Sequence, residues 1–217
     1  MKKKSEFFIF FPLLFLFVSL FSCSQSTPDL YNTRSSVIFS YDSFDSLPQV
    51  KLSVFAQTRN DSRYIQKIFL KCLDNDFTWE TNDIVLFIDY NKNHYAGYES
   101  FVMPSNKKFP VGEYKVTYKN GLDDSQDSIF FIDYNTEFYD LTAEQIKNNF
   151  DNNTKKKICI FDKNESVIFY GERSEDLSTP RKIWNKYRDA FSYKEIYTIS
   201  NGNIMFIMPL EILKPGE

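Results

Sequence analysis

The region after residue 33 is a series of short apolar segments separated by polar turns. Within Gln49–Phe55 the apolar and polar side chains alternate, as they do in a strand with one buried face. Seven or eight such segments lie between residues 34 and 135 at a spacing of roughly 10 residues, and turn signals such as Asn120-Gly121 separate them. One segment, Ile84–Tyr90, is a nearly continuous apolar run. The pattern predicts a β-sandwich over residues 34–135.

Helical signals appear after residue 136. Thr142 and Gln145 have the spacing of a capping box, so a short helix should begin there and run to about Phe150. A second helix should begin at Thr179 as N-cap, with Pro180 in the favoured first position. Its apolar face would carry Ile183, Tyr187 and Phe191, with Trp184 beside them.

Two hairpins complete this C-terminal region. The first joins Ile158–Phe161 to Val167–Tyr170 and follows a polar loop over Asp151–Lys157. The second turns at Asn201-Gly202, which is typical of a two-residue type I′ turn. The order α-β-β-α-β-β predicts a small α+β unit over residues 136–217. No Gly/Ser-rich linker precedes it, so we expect it to pack on or next to the sandwich.

The N-terminus has the pattern of an export signal. Lys2–Lys4 are followed by Phe7–Phe21, which is apolar except for Pro12 and Ser19. These 15 residues, at ~1.5 Å each, would reach roughly 22 Å as a helix and fall short of the ~30 Å hydrocarbon layer. We therefore predict a signal peptide over residues 1–22 rather than a transmembrane helix.

Leu20-Phe21-Ser22-Cys23 resembles the lipobox of bacterial lipoproteins, in the looser form found in spirochaete-type members. Phe21 departs from the strict pattern, which has a small or β-branched residue there. The resemblance implies cleavage between Ser22 and Cys23 and attachment of acyl chains such as palmitate to Cys23. The partner would then be a membrane of the cell envelope, on its extracytoplasmic side, with the cytoplasmic and outer membranes both open. Residues 23–33 would form a flexible tether.

Residues 109–132 resemble the last two strands of immunoglobulin-like and fibronectin-III-like surface modules. Phe109-Pro110-Val111-Gly112 leads into Glu113-Tyr114-Lys115-Val116, and Asn120-Gly121 turns into the strand that ends at Ile132. The resemblance implies that the Tyr114 hydroxyl bonds back to the backbone across a corner. The predicted fold class is thus mainly β, an N-terminal immunoglobulin-like β-sandwich followed by a small α+β unit with two helices and two hairpins.

Charge and cysteine content narrow the function further. The formal net charge of the whole chain is −3, and loss of three lysines and one glutamate with residues 1–22 makes it −5. This mildly acidic balance argues against a nucleic-acid-binding protein, which typically carries a concentrated basic face. Cys72 and Cys159 could form a disulfide in an oxidising compartment or remain buried thiols. Both alternatives stay open.

Residues with catalytic or metal-binding chemistry are few. His94 is the only histidine, which excludes sites built on several histidines, and it lies in an apparent surface loop. Asp89-x-Asn91-x-Asn93 imitates the start of a calcium loop, but the glycine and the bidentate glutamate are missing, so we interpret it as a polar hairpin turn. No metal ion or cofactor is therefore predicted.

The acidic pairs Asp123-Asp124 and Glu175-Asp176, with Glu172, lie in turn-like stretches. We predict a non-catalytic binding or structural module of the envelope. One alternative is a hydrolase that uses a carboxylate pair. Another is a docking subunit of an envelope complex, with an exposed apolar patch around Trp184 or Phe206.

Overall fold

The computed structural model describes residues 27–59, 62–105, 107–150 and 154–213. The helices are α1 (Ala143–Lys147) and α2 (Pro180–Lys186). The strands are β1 Leu30–Ser40, β2 Gln49–Thr58, β3 Ile65–Cys72, β4 Thr78–Thr81, β5 Val85–Ile88, β6 His94–Phe101, β7 Gly112–Asn120, β8 Ser125–Ile132, β9 Lys155–Phe161, β10 Val167–Glu172, β11 Ser192–Ile199, β12 Ile204–Ile207 and β13 Glu211–Ile212.

The described strands form two sheets, and the fold is mainly β as predicted. One sheet has nine strands in the order β10-β9-β11-β12-β1-β2-β6-β5, with β13 paired to β11. The other has four strands in the order β4-β3-β7-β8. The pairing of β1 with β12 is parallel and brings Val37 opposite Ile204. Through this pairing the larger sheet combines strands from both ends of the chain.

The boundary that the sequence analysis placed near residue 136 therefore does not separate two sheets. Both predicted C-terminal hairpins are present, as β9–β10 and β11–β12. The parallel β1–β12 pairing adds them to the sheet that begins with β1. A contact between strands so far apart in the chain leaves no local signal in the sequence.

The main core lies between the two sheets. Alternation along β2 buries Leu52, Val54 and Ala56, and alternation along β7 buries Tyr114, Val116 and Tyr118. These residues belong to one apolar cluster with Phe39 of β1 and Phe206 of β12. The sequence analysis identified this alternation in β2 correctly.

A second, smaller apolar cluster covers the other end of the larger sheet. Ile158 and Ile160 of β9 and Tyr193 of β11 pack there against Leu177 and against Ile183 of α2. Tyr197, four residues beyond Tyr193 on the same strand, belongs to the main core instead. The two clusters therefore meet along β11.

The starts of both helices follow the predicted caps. The Thr142 hydroxyl accepts a hydrogen bond from the backbone N–H of Gln145, whose side chain accepts one from the Thr142 N–H, which completes the capping box. Thr179 caps α2, and Pro180 is its first residue. Both helices are shorter than expected: α1 ends at Lys147, and α2 ends before Phe191, which is exposed.

Several other segments differ from the sequence-based assignment. Leu30–Thr33 lie in β1 and not in a tether, because Leu30 pairs with Thr58 of β2. Lys155–Lys157 open β9 and are not part of a loop, since they pair with β11. The β11–β12 connection has four residues, 200–203, instead of a two-residue turn.

The structure contains the hydrogen bond from the Tyr114 hydroxyl to the backbone that the resemblance to immunoglobulin-like modules implied. This hydroxyl donates a 2.9 Å hydrogen bond to the carbonyl oxygen of Pro110. The β7–β8 hairpin also turns at Asn120, whose side-chain oxygen accepts hydrogen bonds from the N–H groups of Leu122 and Asp124. The segment before β7 is thus tied to the strand it introduces.

Candidate functional site

Ser22 and Cys23, the predicted processing and acylation site, lie outside the described residues. Cys72 and Cys159 are both free and buried. They belong to different sheets, since Cys72 ends β3 and Cys159 lies in β9. Burial raises the pKa of the Cys159 thiol, so it stays protonated and unreactive at neutral pH. The structure thus has two buried thiols and no disulfide between them.

The acidic pairs named as candidate catalytic groups are tied to lysines on the surface. Glu175 lies 2.7 Å from Lys182, and Asp176 pairs with Lys186. Hydrogen bonds from these lysines lower the pKa of both carboxyl groups. A general acid needs a raised pKa, so neither group suits that role.

The remaining candidates are similarly arranged. Asp123 lies 3.7 Å from Lys119, while Asp124 accepts a hydrogen bond from the Asn120 side chain. Glu172 is exposed at the end of β10. Across the described ranges, no group of three or more His, Cys, Asp or Glu side chains could hold a metal ion.

Asp89 organises the hairpin between β5 and β6. Its carboxylate accepts hydrogen bonds from the backbone N–H groups of Asn91 and Asn93 and from the side-chain amide of Asn93. The Asn93 amide is the largest cause that lowers the Asp89 pKa. The interpretation of this stretch as a polar hairpin turn is confirmed.

Strand β5, which this turn holds against β6, is the most unusual surface of the described chain. It consists of Val85, Leu86, Phe87 and Ile88, whose exposed fractions are 37%, 42%, 43% and 60%. It pairs with β6 on one side and forms the edge of the nine-stranded sheet on the other. A continuous apolar run usually indicates a buried strand. Here the side chains on both faces are partly exposed, and no other described strand pairs with the outer edge.

The aromatic side of β5 is held in place by its neighbours. The Phe87 ring stacks on Tyr95 of β6 at 4.8 Å and meets Phe55 of β2 edge to face at 5.3 Å. Gly97, opposite Val85 in β6, makes room for this arrangement: a Cβ there would come within 2.4 Å of the Phe55 ring. Phe87 is therefore exposed but oriented.

A groove of about 610 Å³ lies beside β5. Its lining includes the apolar Leu86 and Ile88, the cationic Arg59 and Arg63, and His94. The Arg59 guanidinium lies over the Tyr31 ring and 3.9 Å from Asp29. The groove thus combines apolar side chains with cationic ones at the sheet edge.

The other sheet edges in the described part of the chain carry features that discourage further strand pairing. Strand β4 has Glu80 in its centre, and β8 has Asp127. Strand β10 has an irregular register between Val167 and Phe169 and ends at Glu172. Strand β5 has no charged residue, proline or irregularity between Val85 and Ile88.

The apolar patch expected around Trp184 or Phe206 is not found. Phe206 is fully buried in the main core. Trp184 is half-buried, and the Arg188 guanidinium lies 4.1 Å from its ring centre. The sequence analysis noted the apolar run of β5 but missed that it forms a free edge. Its lack of alternation between Asp83 and Asp89 is typical of a buried strand, so no local signal indicated an exposed edge.

A buried ionic cluster lies between the two apolar clusters. The Glu195 side chain is 3% exposed and pairs with Arg173 and, at 3.1 Å, with Lys147. The Tyr197 hydroxyl donates to the same carboxylate at 2.5 Å. Arg173 also donates to the carbonyl oxygens of Leu177 and Ser178. Every polar group of this cluster is engaged inside the protein, which indicates a structural role.

No helix among the residues described is long and apolar enough to cross a bilayer. Comparison of the chain with models of protein families, with curated proteins and with solved structures finds no match.

Proposed function

We propose that this protein is a lipid-anchored lipoprotein of the bacterial cell envelope, held in a membrane by acyl chains on Cys23. The observation that carries the proposal is the leader, in which Lys2–Lys4, the apolar run Phe7–Phe21 and the box Leu20-Phe21-Ser22-Cys23 follow in order. Two or more acyl chains hold a protein stably on a bilayer without any apolar surface of its own.

The structure adds a distance constraint to this proposal. Strand β1 begins at Leu30, seven residues after Cys23. A fully extended chain of that length spans about 25 Å. The folded part would therefore lie close to the membrane surface rather than at the end of a long tether.

We further propose that the folded part binds another macromolecule and has no catalytic role. The two sheets that share a core, together with the Tyr114–Pro110 corner, support an immunoglobulin-like sandwich extended by strands β9–β12. The free edge of β5 supports docking. A hydrolase would need two carboxylates about 5–9 Å apart in a cleft. The acidic pairs named above lie instead on the surface beside lysines.

Metabolic labelling with an alkyne palmitate analogue tests the anchor in a bacterium that processes lipoproteins. The full chain should become labelled, fractionate with membranes, and lose the mass of residues 1–22. Cys23→Ala should abolish both the label and the cleavage, whereas Cys159→Ala should keep both and serves as the matched control. A labelled, cleaved Cys23→Ala protein would refute the anchor.

A further inference from the structure

The backbone of β5 presents free hydrogen-bonding groups in a defined order. The Asp89 N–H donates to the Asn93 carbonyl at 3.0 Å, so the backbone of Asp89 faces β6. Because residues in an antiparallel strand face alternate sides, Phe87 and Val85 also face β6. The N–H and C=O groups of Leu86 and Ile88 therefore point outward from the sheet edge.

We propose that these groups pair with β5 of a second copy of this chain, antiparallel and about a two-fold axis, with Phe87 opposite its own counterpart. This inference rests on the binding role proposed above for the β5 edge, for which it names the partner, and it does not depend on the membrane anchor. Each copy would supply the same strand, as in other isologous interfaces. The two nine-stranded sheets would join into one continuous sheet.

The charges at the ends of β5 select the register. A two-fold axis perpendicular to the sheet must pass between a residue and its own copy. Only axes at Leu86 or at Phe87 place three of the four residues of β5 opposite β5 of the other copy, so the register is chosen between these two. An axis at Leu86 would place Asp89 opposite Asp83 of the other copy, and like charges directly opposite are destabilising. An axis at Phe87 places Asp89 opposite Val85 instead. Asp83 then approaches the turn that carries Lys92, which is a favourable arrangement of charge.

In this register the outward backbone groups match. Leu86 of one copy lies opposite Ile88 of the other, and the two residues can exchange both N–H···O hydrogen bonds. The Phe87 pair falls at the closer, non-hydrogen-bonded position, where side chains are nearest. Stacking of Phe87 on Tyr95 already orients the ring, so little rotamer entropy is lost on pairing.

The available area sets the strength of the contact. Val85–Ile88 and the 94% exposed Tyr90 offer on the order of 500 Å² per copy, or about 1,000 Å² in a symmetric contact. That lies at the lower end of specific interfaces, so the dimer should be weak and reversible. Confinement to one membrane surface would raise the effective concentration of the two copies.

Sedimentation equilibrium of the processed protein in density-matched detergent tests for the dimer. We expect a reversible monomer–dimer equilibrium in the micromolar range. Ile88→Ser should raise the dissociation constant by at least about tenfold, because both copies lose an apolar contact. Ile129→Ser is the matched control: Ile129 is 58% exposed on the edge strand β8, close to the 60% of Ile88, and its loss should leave the equilibrium unchanged.

The Leu86→Pro variant distinguishes a dimer held by backbone hydrogen bonds from nonspecific association of apolar side chains. The Leu86 N–H points away from β6, so proline there removes no ladder hydrogen bond within the copy. It does remove a donor to the second copy, and the dimer should be lost while the thermal unfolding midpoint changes little. A dimer that survives Leu86→Pro, or a wild-type protein that stays monomeric over this range, overturns the proposal.

Cysteine crosslinking in membranes of expressing cells reports the register directly. Phe87→Cys should form a disulfide-linked dimer on mild oxidation, because it faces itself across the axis at the closer position. Leu86→Cys should crosslink poorly. Efficient crosslinking at Leu86 alone would show that the register is wrong. If the monomer binds lipid vesicles and Ile88→Ser abolishes that binding, then β5 contacts a bilayer rather than a second copy of the chain. That result would refute self-pairing.

Discussion

The buried carboxylate of Glu195 offers a quantitative test of how the two apolar clusters are joined. Glu195 is 3% exposed, and its partners differ in their own exposure: Arg173 is 19% exposed and Lys147 is 42% exposed. Removal of one partner of a buried ion pair costs about 3–5 kcal/mol, because the other charge stays buried and uncompensated. An exposed ion pair contributes about 0–1 kcal/mol.

We therefore predict unequal effects of two neutral replacements with similar stems. Arg173→Met should lower the free energy of unfolding by about 3 kcal/mol, because Glu195 keeps only the more exposed Lys147 as a cationic partner and the carbonyl groups of Leu177 and Ser178 lose their donor. Lys147→Met should cost about 1 kcal/mol or less, because water already screens its pair with Glu195. The difference follows from the deeper burial of Arg173 and from its two hydrogen bonds to backbone carbonyl groups.

Urea unfolding followed by circular dichroism measures both values, and the slope of the transition should stay constant. The double variant Arg173→Met/Glu195→Gln should be more stable than the sum of its single variants implies, because the uncompensated charge is gone. Equal costs for Arg173→Met and Lys147→Met, or strictly additive effects in the double variant, would refute the reasoning.

The remaining predictions concern four single groups: Tyr41, Tyr114, Thr142 and Asp89. The Tyr41 hydroxyl is buried without a hydrogen-bond partner among the described residues, so Tyr41→Phe should be neutral or stabilising by up to about 1 kcal/mol in urea unfolding. In contrast, Tyr114→Phe should cost about 1 kcal/mol, because it loses the hydrogen bond to the Pro110 carbonyl. Burial raises the pKa of Tyr41 from 10.0 to about 12. The stability that the protonated hydroxyl allows is therefore present below pH 10 and is lost as the pH rises through about 12. Tyr41→Phe should reduce this loss of stability at alkaline pH. Thr142→Ala should cost about 1 kcal/mol, read from the same urea transition, because it removes the capping box of α1. Because the pKa of Asp89 is lowered, the hydrogen bonds to its carboxylate stabilise the β5–β6 turn above about pH 4 and are lost as the pH falls through the folded-state pKa. The amide chemical shifts of this turn should show an acid transition, and Asp89→Asn should abolish it.

Features encoded within a few residues could be predicted from the sequence. The capping box at Thr142, the N-cap at Thr179 with Pro180, and the Asp89 turn depend on neighbours at most four positions away. The alternation in β2 fixes which side chains face the core once a sheet exists. These local structures are therefore determined by interactions between residues that are close in sequence.

Partners distant in the chain could not be predicted. The parallel pairing of β1 with β12 places Val37 opposite Ile204, and neither segment contains a sequence pattern that indicates the other as its partner. That pairing joins the predicted C-terminal hairpins to the larger sheet. A different long-range pairing, of Leu30 with Thr58 of β2, places Leu30–Thr33 in a strand rather than in the predicted tether. The separation of Cys72 and Cys159, which lie in different sheets as free thiols, likewise depends on strand pairings distant in the chain.

The sequence by itself thus determined the leader pattern, the strand-rich character, the turns and the helix starts, because hydrophobic period and capping chemistry act over a few residues. The tertiary structure alone decided which strands are central and which are edges. Strand β5 shows the consequence: its apolar run has the composition of a buried strand, yet the order of pairing leaves it at the rim of the sheet. Burial depends on which neighbours arrive from elsewhere in the chain, and that is a property of the whole fold.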